Sequence, residues 1–327
     1  MNIFFYSLSI NGTHTSLQSS FLETVKTANC KGYYNIQIFL GSPYSLNRRQ
    51  FSNNDLEETK KYLNRHNIKV FTHLPYIINL AGSSKHNDFC WNGNTEIDNY
   101  ALQCIKCIEY ECNTLGLIQN KKIGGCVLHI GSIGKLGDKS EASSANGAEG
   151  DKERSDSAKH RAISDKGDRE KGLNSVIQSI NKINFKENDC KLILETMVGR
   201  GGVLGVSFEE LSYIYNRIEE SKRKYIGICI DTCHIFAEGL YKLDSVKGID
   251  KLFEDFQRYF TLDKLSVIHL NDSKCEYNSK ADRHSTLMNG CIWKRDILKY
   301  FVSICERYNI PMILETEESD YDVVENL

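Results

Sequence analysis

The sequence predicts an α/β protein in the form of a (β/α)8 TIM barrel. Three observations lead there. Short apolar runs of buried-strand character alternate with segments of helical spacing along the 327-residue chain. About eight such units occur, the number that closes a parallel sheet on itself. No glycine-rich phosphate loop follows the first run, which weakens the alternative of an open doubly wound sheet. The predicted strands are Ile3–Tyr6, Ile36–Leu40, Val70–His73, Gly125–His129, Leu192–Glu195, Ile226–Asp231, Val267–His269 and Met312–Glu315. Helical spacing marks Leu22–Ala28, Leu56–Arg65, Ile97–Leu115, Leu173–Ile183, Phe208–Ile218, Ile249–Phe260 and Ile297–Tyr308.

The opening Met1-Asn-Ile-Phe-Phe-Tyr-Ser-Leu is too short and lacks the basic start of a targeting peptide, so it reads as a first strand. No apolar run reaches membrane length. The 12 cysteines are scattered through apparent strands and helices rather than set in a disulfide framework, which predicts an intracellular protein with reduced thiols. The nucleus is the expected compartment if the source is eukaryotic, with a mitochondrion or another organelle as the alternative. Cys104-Ile-Lys-Cys107 has no matching second pair and reads as helix core rather than half a zinc site. A formal net charge of −2 excludes a polycation, and the expected state is a monomer with no membrane partner.

One segment breaks the alternation. From Lys135 to about Lys171 the chain is rich in Ser, Ala, Gly, Lys, Asp and Glu and nearly free of large apolar residues. Such a stretch cannot offset its ordering entropy by burial, which predicts a disordered surface insertion after strand four, inside a single domain spanning 1–327.

Ile226-Gly-Ile-Cys-Ile-Asp231-Thr-Cys-His234 introduces the chemistry: an apolar strand ends on a carboxylate, and an imidazole follows three residues later. Alone, Asp231 reads better as the cap of the next helix. The same grammar recurs, however. Strand three ends on His73, four on His129, five on Glu195, six on Asp231, seven on His269 and eight on Glu315. In a barrel these ends point into one mouth, where active sites lie. His234 follows strand six, and Asp282-Arg-His284 follows strand seven. Oxygen and nitrogen donors without cysteine suit zinc or manganese in a catalytic site, and these residues exceed the needs of one ion. Clustered metals activate water and clamp a phosphoryl group, which points to phosphodiester chemistry.

These residues resemble the endonuclease IV family of apurinic/apyrimidinic endonucleases. The matching stretches are His73-Leu-Pro-Tyr76-Ile-Ile-Asn-Leu80, Val127-Leu-His129, Leu194-Glu195-Thr196, Ile230-Asp231-Thr-Cys-His234, His269-Leu-Asn-Asp-Ser-Lys274, Asp282-Arg-His284 and Ile313-Leu-Glu315-Thr316. The resemblance implies a TIM barrel carrying three zinc ions, with manganese an alternative at one position. It implies hydrolysis 5′ to abasic sites in double-stranded DNA, leaving a 3′-hydroxyl, together with removal of 3′-blocking groups in base-excision repair. By matching motif, His73, His129 and Glu195 would hold the first ion, and Glu195, Asp231, His269 and Glu315 the second. His234, Asp282 and His284 would hold the third. Glu195 would be the catalytic carboxylate, bridging two ions beside the attacking hydroxide. In Asn47-Arg-Arg49-Gln-Phe51 the resemblance makes Arg49 the residue that enters the minor groove, with Tyr76 beside it. After His284 the segment carries Met288 and Trp293 where the family pattern has glycines. A sugar isomerase on the same barrel would have no use for Arg49, His234 or the Asp282/His284 pair. A non-catalytic DNA-binding relative would be expected to have lost ligands.

Overall fold

The computed structural model describes residues 11–82, 99–119, 124–133, 151–317 and 319–327. Eight parallel strands close into a barrel: β1 (Asn11–His14), β2 (Asn35–Ile38), β3 (Lys69–His73), β4 (Gly125–Leu128), β5 (Lys191–Glu195), β6 (Ile226–Asp231), β7 (Leu265–His269) and β10 (Met312–Leu314). The ring runs β1-β10-β7-β6-β5-β4-β3-β2, so the last strand lies between the first and β7. A short antiparallel pair, β8 (Asp272–Ser273) and β9 (His284–Ser285), stands outside it.

Helices α1 (Phe21–Cys30), α2 (Asn53–His66), α3 (Asn99–Ile118), α4 (Asp151–Lys182), α5 (Phe208–Arg217), α6 (Glu220–Arg223), α7 (Thr232–Ala237), α8 (Val246–Tyr259), α9 (Arg295–Arg307) and α10 (Ser319–Glu325) complete the order. Several begin on serine caps. Ser20, Ser52, Ser207 and Ser245 hold extended backbone angles, and their side chains accept from the amides of Glu23, Asp55, Glu210 and Gly248. Each such cap stabilises its helix by about 1 kcal/mol. The left-handed Asn67 (φ 52°) ends α2 and turns the chain into β3.

Side-chain alternation along each strand separates two cores. Outward-facing residues such as Val70, Leu192, Leu194, Ile228 and Ile268 pack against the helices, where Phe21, Ile108, Leu211, Phe256 and Phe301 are fully buried. Inward-facing Phe71, Val127, Ile193, Cys229, Val267 and Ile313 form a separate apolar layer inside the barrel. Burying each large side chain stabilises the fold by roughly 1.5–3 kcal/mol.

Two expectations are revised. The predicted strand Ile3–Tyr6 lies outside the described residues, and the barrel takes Asn11–His14 as its first strand. That tetrapeptide has no apolar run; its pairing with β10 and β2 makes it a strand. The charged segment is the second case. Residues 134–150 lie outside the described residues, but from Asp151 onward the backbone is helical, so α4 begins well before Leu173. Ala, Lys, Glu and Arg favour helix, and once the turns holding Val176 and Ile180 are packed, adding residues at the front incurs no new nucleation penalty. Near the barrel, Arg169 makes a two-pronged ion pair with Glu210, whose Oε2 also accepts from the amides of Gly205 (2.9 Å) and Val206 (3.2 Å). The described cysteines are free thiols, and Cys104 and Cys107 are buried in α3 as expected. Among the described residues, no helix is long and apolar enough to cross a membrane.

Candidate metal centre at the barrel mouth

The apolar layer inside the barrel explains where the polar residues go. Two residues after each of its members come His73, His129, Glu195, Asp231, His269 and Glu315, the last residue of the strand or, for His129 and Glu315, the residue just past it. They therefore form the next tier inside the barrel, at the C-terminal mouth. The apolar layer beneath seals them from the bottom.

Glu195 is the hub. Its Oε2 lies 3.4 Å from His73 Nε2 and 3.1 Å from His129 Nε2, while Oε1 lies 3.0 Å from His269 Nδ1 and 3.5 Å from His234 Nδ1. On the second side, His269 Nδ1 is 3.2 Å from Glu315 Oε2 and 4.0 Å from Asp231 Oδ2. On the third, Asp282 stands between two imidazoles, 3.1 Å from His234 Nε2 and 3.2 Å from His284 Nε2. His284 Nε2 also lies 3.6 Å from Asp231 Oδ2. All nine residues named from the sequence are thus brought to one mouth: eight fall in overlapping groups whose donor atoms lie within 4.8 Å of one another, among them His73/His129/Glu195 and His234/Asp282/His284, and Glu315 joins them through His269. Asp231 caps α7, its Oδ1 accepting from the His234 amide at 2.8 Å, while Oδ2 faces the cluster.

The hydrogen bonds orient the rings. His73 Nδ1 faces the Leu74 carbonyl at 2.7 Å, so it donates there, and Nε2 is turned toward Glu195. His234 Nδ1 likewise meets the Thr196 carbonyl at 2.8 Å, freeing Nε2 for Asp282. Lone pairs facing a carboxylate repel unless a cation lies between them, and the buried Glu195 Oε2 and His284 Nε2 have no hydrogen-bond partner. That donor set fits bound metal.

The electrostatics agree. Burial by itself would raise the Glu195 carboxyl, but the charges of His269 and His129 outweigh it and hold the group well below the usual carboxylate range. Burial would lower His234 and His269, yet Asp231 and Asp282 push His234, and Cys229, Glu315 and Glu195 push His269, well above the ordinary imidazole value. His284 is raised in the same way by Asp231 and Asp282. Without metal, protons on these rings balance the carboxylates. A dication takes over that role when it displaces them.

Sequence reasoning missed part of the support. Gln37, fully buried on β2, sits in register with Phe71 and so points inward. Its Oε1 accepts from His269 Nε2 at 2.9 Å and its Nε2 donates to Glu315 Oε1 at 2.8 Å, which turns His269 Nδ1 toward the carboxylates. His14, in register with Gln37, is lowered to about 4 by burial. Asn271 donates to Asp231 Oδ2 at 2.7 Å and to Glu315 Oε2 at 3.0 Å. A polar Gln inside the run Ile36-Gln-Ile38 was the available signal. Cys229 and Cys233 also come within reach of the cluster. Burial pushes the Cys229 thiol up to about 12 and raises that of Cys233 too, so both stay protonated and the oxygen and nitrogen donors remain the better ligands.

At the rim, Tyr76 is half-exposed and packs against the rings of His73 and His129, with centroids 5.0 and 5.3 Å apart. Burial of the phenol and the nearby charge of Glu315 raise its pKa, so it remains a neutral donor. Arg49 is not at the cluster. It is exposed on the β2–α2 loop, with its guanidinium donating to the carbonyls of Gln18 and Ser19.

The family model described as a xylose isomerase-like TIM barrel matches residues 156–327, from within α4 to the last residue. A curated protein named "Probable endonuclease 4" from Malacoplasma penetrans is 30% identical over 310 residues, covering 93% of this chain and 87% of its own length. The chain belongs to the endonuclease IV family. A second relative of the same name, from Pediococcus pentosaceus, is 29% identical over 94% of this chain and 87% of its own length. These relatives are bacterial and lend no support to the nuclear expectation. Among solved structures, endonuclease IV from Thermus thermophilus superposes with a TM-score of 0.69 at 19% identity, covering 97% of each chain. A D-allulose 3-epimerase from Methylomonas sp. shares the fold at a TM-score of 0.53 and 12% identity, covering 94% of this chain and 85% of its own. At such identities the likeness is one of fold.

The segment after His284 is well held. Met288 takes a left-handed conformation (φ 64°), one that glycine adopts more readily. Buried Trp293 donates from Nε1 to the Asn271 carbonyl at 3.0 Å, and the Asp272 carboxylate accepts from the amides of Ser273, Gly290 and Ile292. Those bonds fix β8 and β9, and with β9 His284.

Proposed function

We propose that this protein is a zinc-dependent DNA-repair endonuclease that hydrolyses the phosphodiester 5′ to abasic sites in duplex DNA, leaving a 3′-hydroxyl, and that it also removes 3′-blocking groups in base-excision repair. The observation that carries the reading is the arrangement of the donors around Glu195: two imidazoles on one carboxylate oxygen, and His269 on the other with Asp231 and Glu315 beyond it. His73, His129 and Glu195 would hold one ion, Glu195, Asp231, His269 and Glu315 a second, and His234, Asp282 and His284 a third. When bound, zinc supplies Lewis-acid stabilisation of charge developing on a phosphodiester and activates water as a nucleophile.

The chain's own residues do the rest. Glu195, held ionised, serves both sides of the cluster and is the catalytic carboxylate. Gln37 and Asn271 keep His269, Glu315 and Asp231 from turning away. Tyr76, protonated at the rim beside His73 and His129, is placed to donate to a phosphate drawn into the mouth. Arg49, exposed and paired with no carboxylate among the described residues, is the candidate wedge beside a nucleotide displaced from the stack. A duplex carrying one abasic analogue, incubated with purified protein with and without chelator, tests the reading. Cleavage on its 5′ side that chelator abolishes and zinc restores is expected; an intact duplex in the presence of zinc would overturn it.

A further inference from the structure

Adjacent arginines on the β2–α2 loop point in opposite directions. Arg49 is exposed, whereas the Arg48 side chain is only 3% exposed and its Nη1 lies 3.3 Å from Glu111 Oε1 on α3, a carboxylate at 0% exposure. The guanidinium also donates from Nη2 to the carbonyl of Ser42 at 2.7 Å and to that of Ser45. The loop therefore folds around Arg48. At Gly41 a Cβ would stand 2.6 Å from the Asn47 carbonyl oxygen and 3.2 Å from the guanidinium carbon, so glycine is what lets the loop close on it. Further bonds fasten the outside: the Arg49 amide donates to the Leu40 carbonyl at 2.8 Å, the Tyr110 hydroxyl on α3 to the Arg49 carbonyl at 2.6 Å, and the Tyr76 amide to the Pro43 carbonyl at 2.9 Å. What this frame presents to solvent is Tyr44, 74% exposed, and Arg49. An aromatic ring and a cation exposed on one loop are the chemistry that meets an unstacked base step and its phosphates.

We infer that the Arg48–Glu111 ion pair is the positioning device of the DNA-facing loop, fixing where Tyr44 and Arg49 meet the duplex while touching neither nucleic acid nor metal itself. The inference rests on the endonuclease reading above. A buried carboxylate has little reason to be retained on α3 unless a cation must be drawn in to meet it, and only the fork of arginine reaches Glu111 and two carbonyls at once. Because the loop is attached to α3 and, through Tyr76, to the segment after His73, its pose is tied to the barrel rather than to the substrate.

The test compares wild type with Arg48→Lys and the double variant Arg48→Met/Glu111→Leu, each as the full chain loaded with zinc. Amide hydrogen exchange of residues 41–50 without DNA, zinc content, melting temperature, and kcat/KM on an intact and a nicked abasic-analogue duplex are measured. The double variant replaces a buried pair with apolar packing and is expected to melt close to wild type with the same zinc content. Its loop amides should exchange on the order of tenfold faster. It should lose roughly tenfold in kcat/KM on the intact duplex, mostly through KM, and much less on the nicked one, where little stacking has to be broken. Arg48→Lys keeps the charge without the fork and should also loosen the loop. Unchanged loop exchange in the double variant, or equal losses on both substrates, would overturn the inference. Wild-type protein that cuts neither duplex would refute the endonuclease reading instead, and loop exchange would still decide whether the pair pins the loop.

Discussion

Glu195 in the mouth and Glu111 beneath the β2–α2 loop are both buried, at 1% and 0% exposure, yet their surroundings treat them in opposite ways. Burial pushes the Glu111 carboxyl up to about 7, with the Thr72 hydroxyl and then the Arg48 guanidinium acting against it. Burial acts on Glu195 as well, but His269 and His129 overcome it and hold the group well below its usual range. Desolvation is common to the two; the number and kind of partners differ. The Arg48 guanidinium makes Glu111 a structural pin. A ring of imidazoles keeps Glu195 charged, which suits it to hold a metal.

The sharpest way to break the contrast is to remove each charge in turn. Glu195→Gln should retain the fold by circular dichroism and lose cleavage by on the order of 1000-fold or more, because the carboxylate shared by both sides of the cluster is gone. Turnover near wild type in that variant would end the assignment. Arg49→Ala should keep full zinc content, lose roughly tenfold in kcat/KM on intact abasic duplex and much less on a nicked one. An equal loss on both, with a salt dependence flattened by about one ion, would make Arg49 a phosphate contact rather than a wedge.

A pH series on chelator-treated protein separates the two glutamates by sign. The lowered Glu195 contributes stability above the ordinary glutamate value of 4.5 that is lost as pH falls below it. Raised Glu111 behaves oppositely: the folded state holds its proton more tightly, so stability declines as pH rises from 4.5 through about 7. Melting curves of wild type and Glu111→Gln should therefore converge in shape below pH 4.5 and diverge toward pH 7 by roughly 1–3 kcal/mol. Parallel curves across that window would show that Glu111 is not strained by its burial.

The smallest effect is expected from the charged segment. Replacing residues 136–160 by a short Gly/Ser linker should shift the melting temperature and activity little, since few large apolar residues are lost. Extending the deletion through Arg169 should cost more, because Glu210 would lose its two-pronged partner. A large fall in DNA affinity after the shorter deletion would give the segment a binding role.

The sequence by itself determined the barrel, through the alternation of apolar runs with helical segments, and the residues that meet in its mouth, because a strand has a period of two and its last inward position is readable from its apolar neighbours: Phe71 announces His73, and Ile193 announces Glu195. Only the tertiary structure decided the rest. β1 at Asn11–His14 carries no apolar signal, since strands on both sides define it. Gln37 joins His269 and Glu315 from opposite ends of the chain, 232 and 278 positions away, and no local pattern encodes such a meeting. Arg48 and Arg49 look alike in a string of letters. Which of them turns inward depends on a carboxylate 63 positions later on α3, and burial makes that one contact decisive, because a charge removed from water must find its counter-charge.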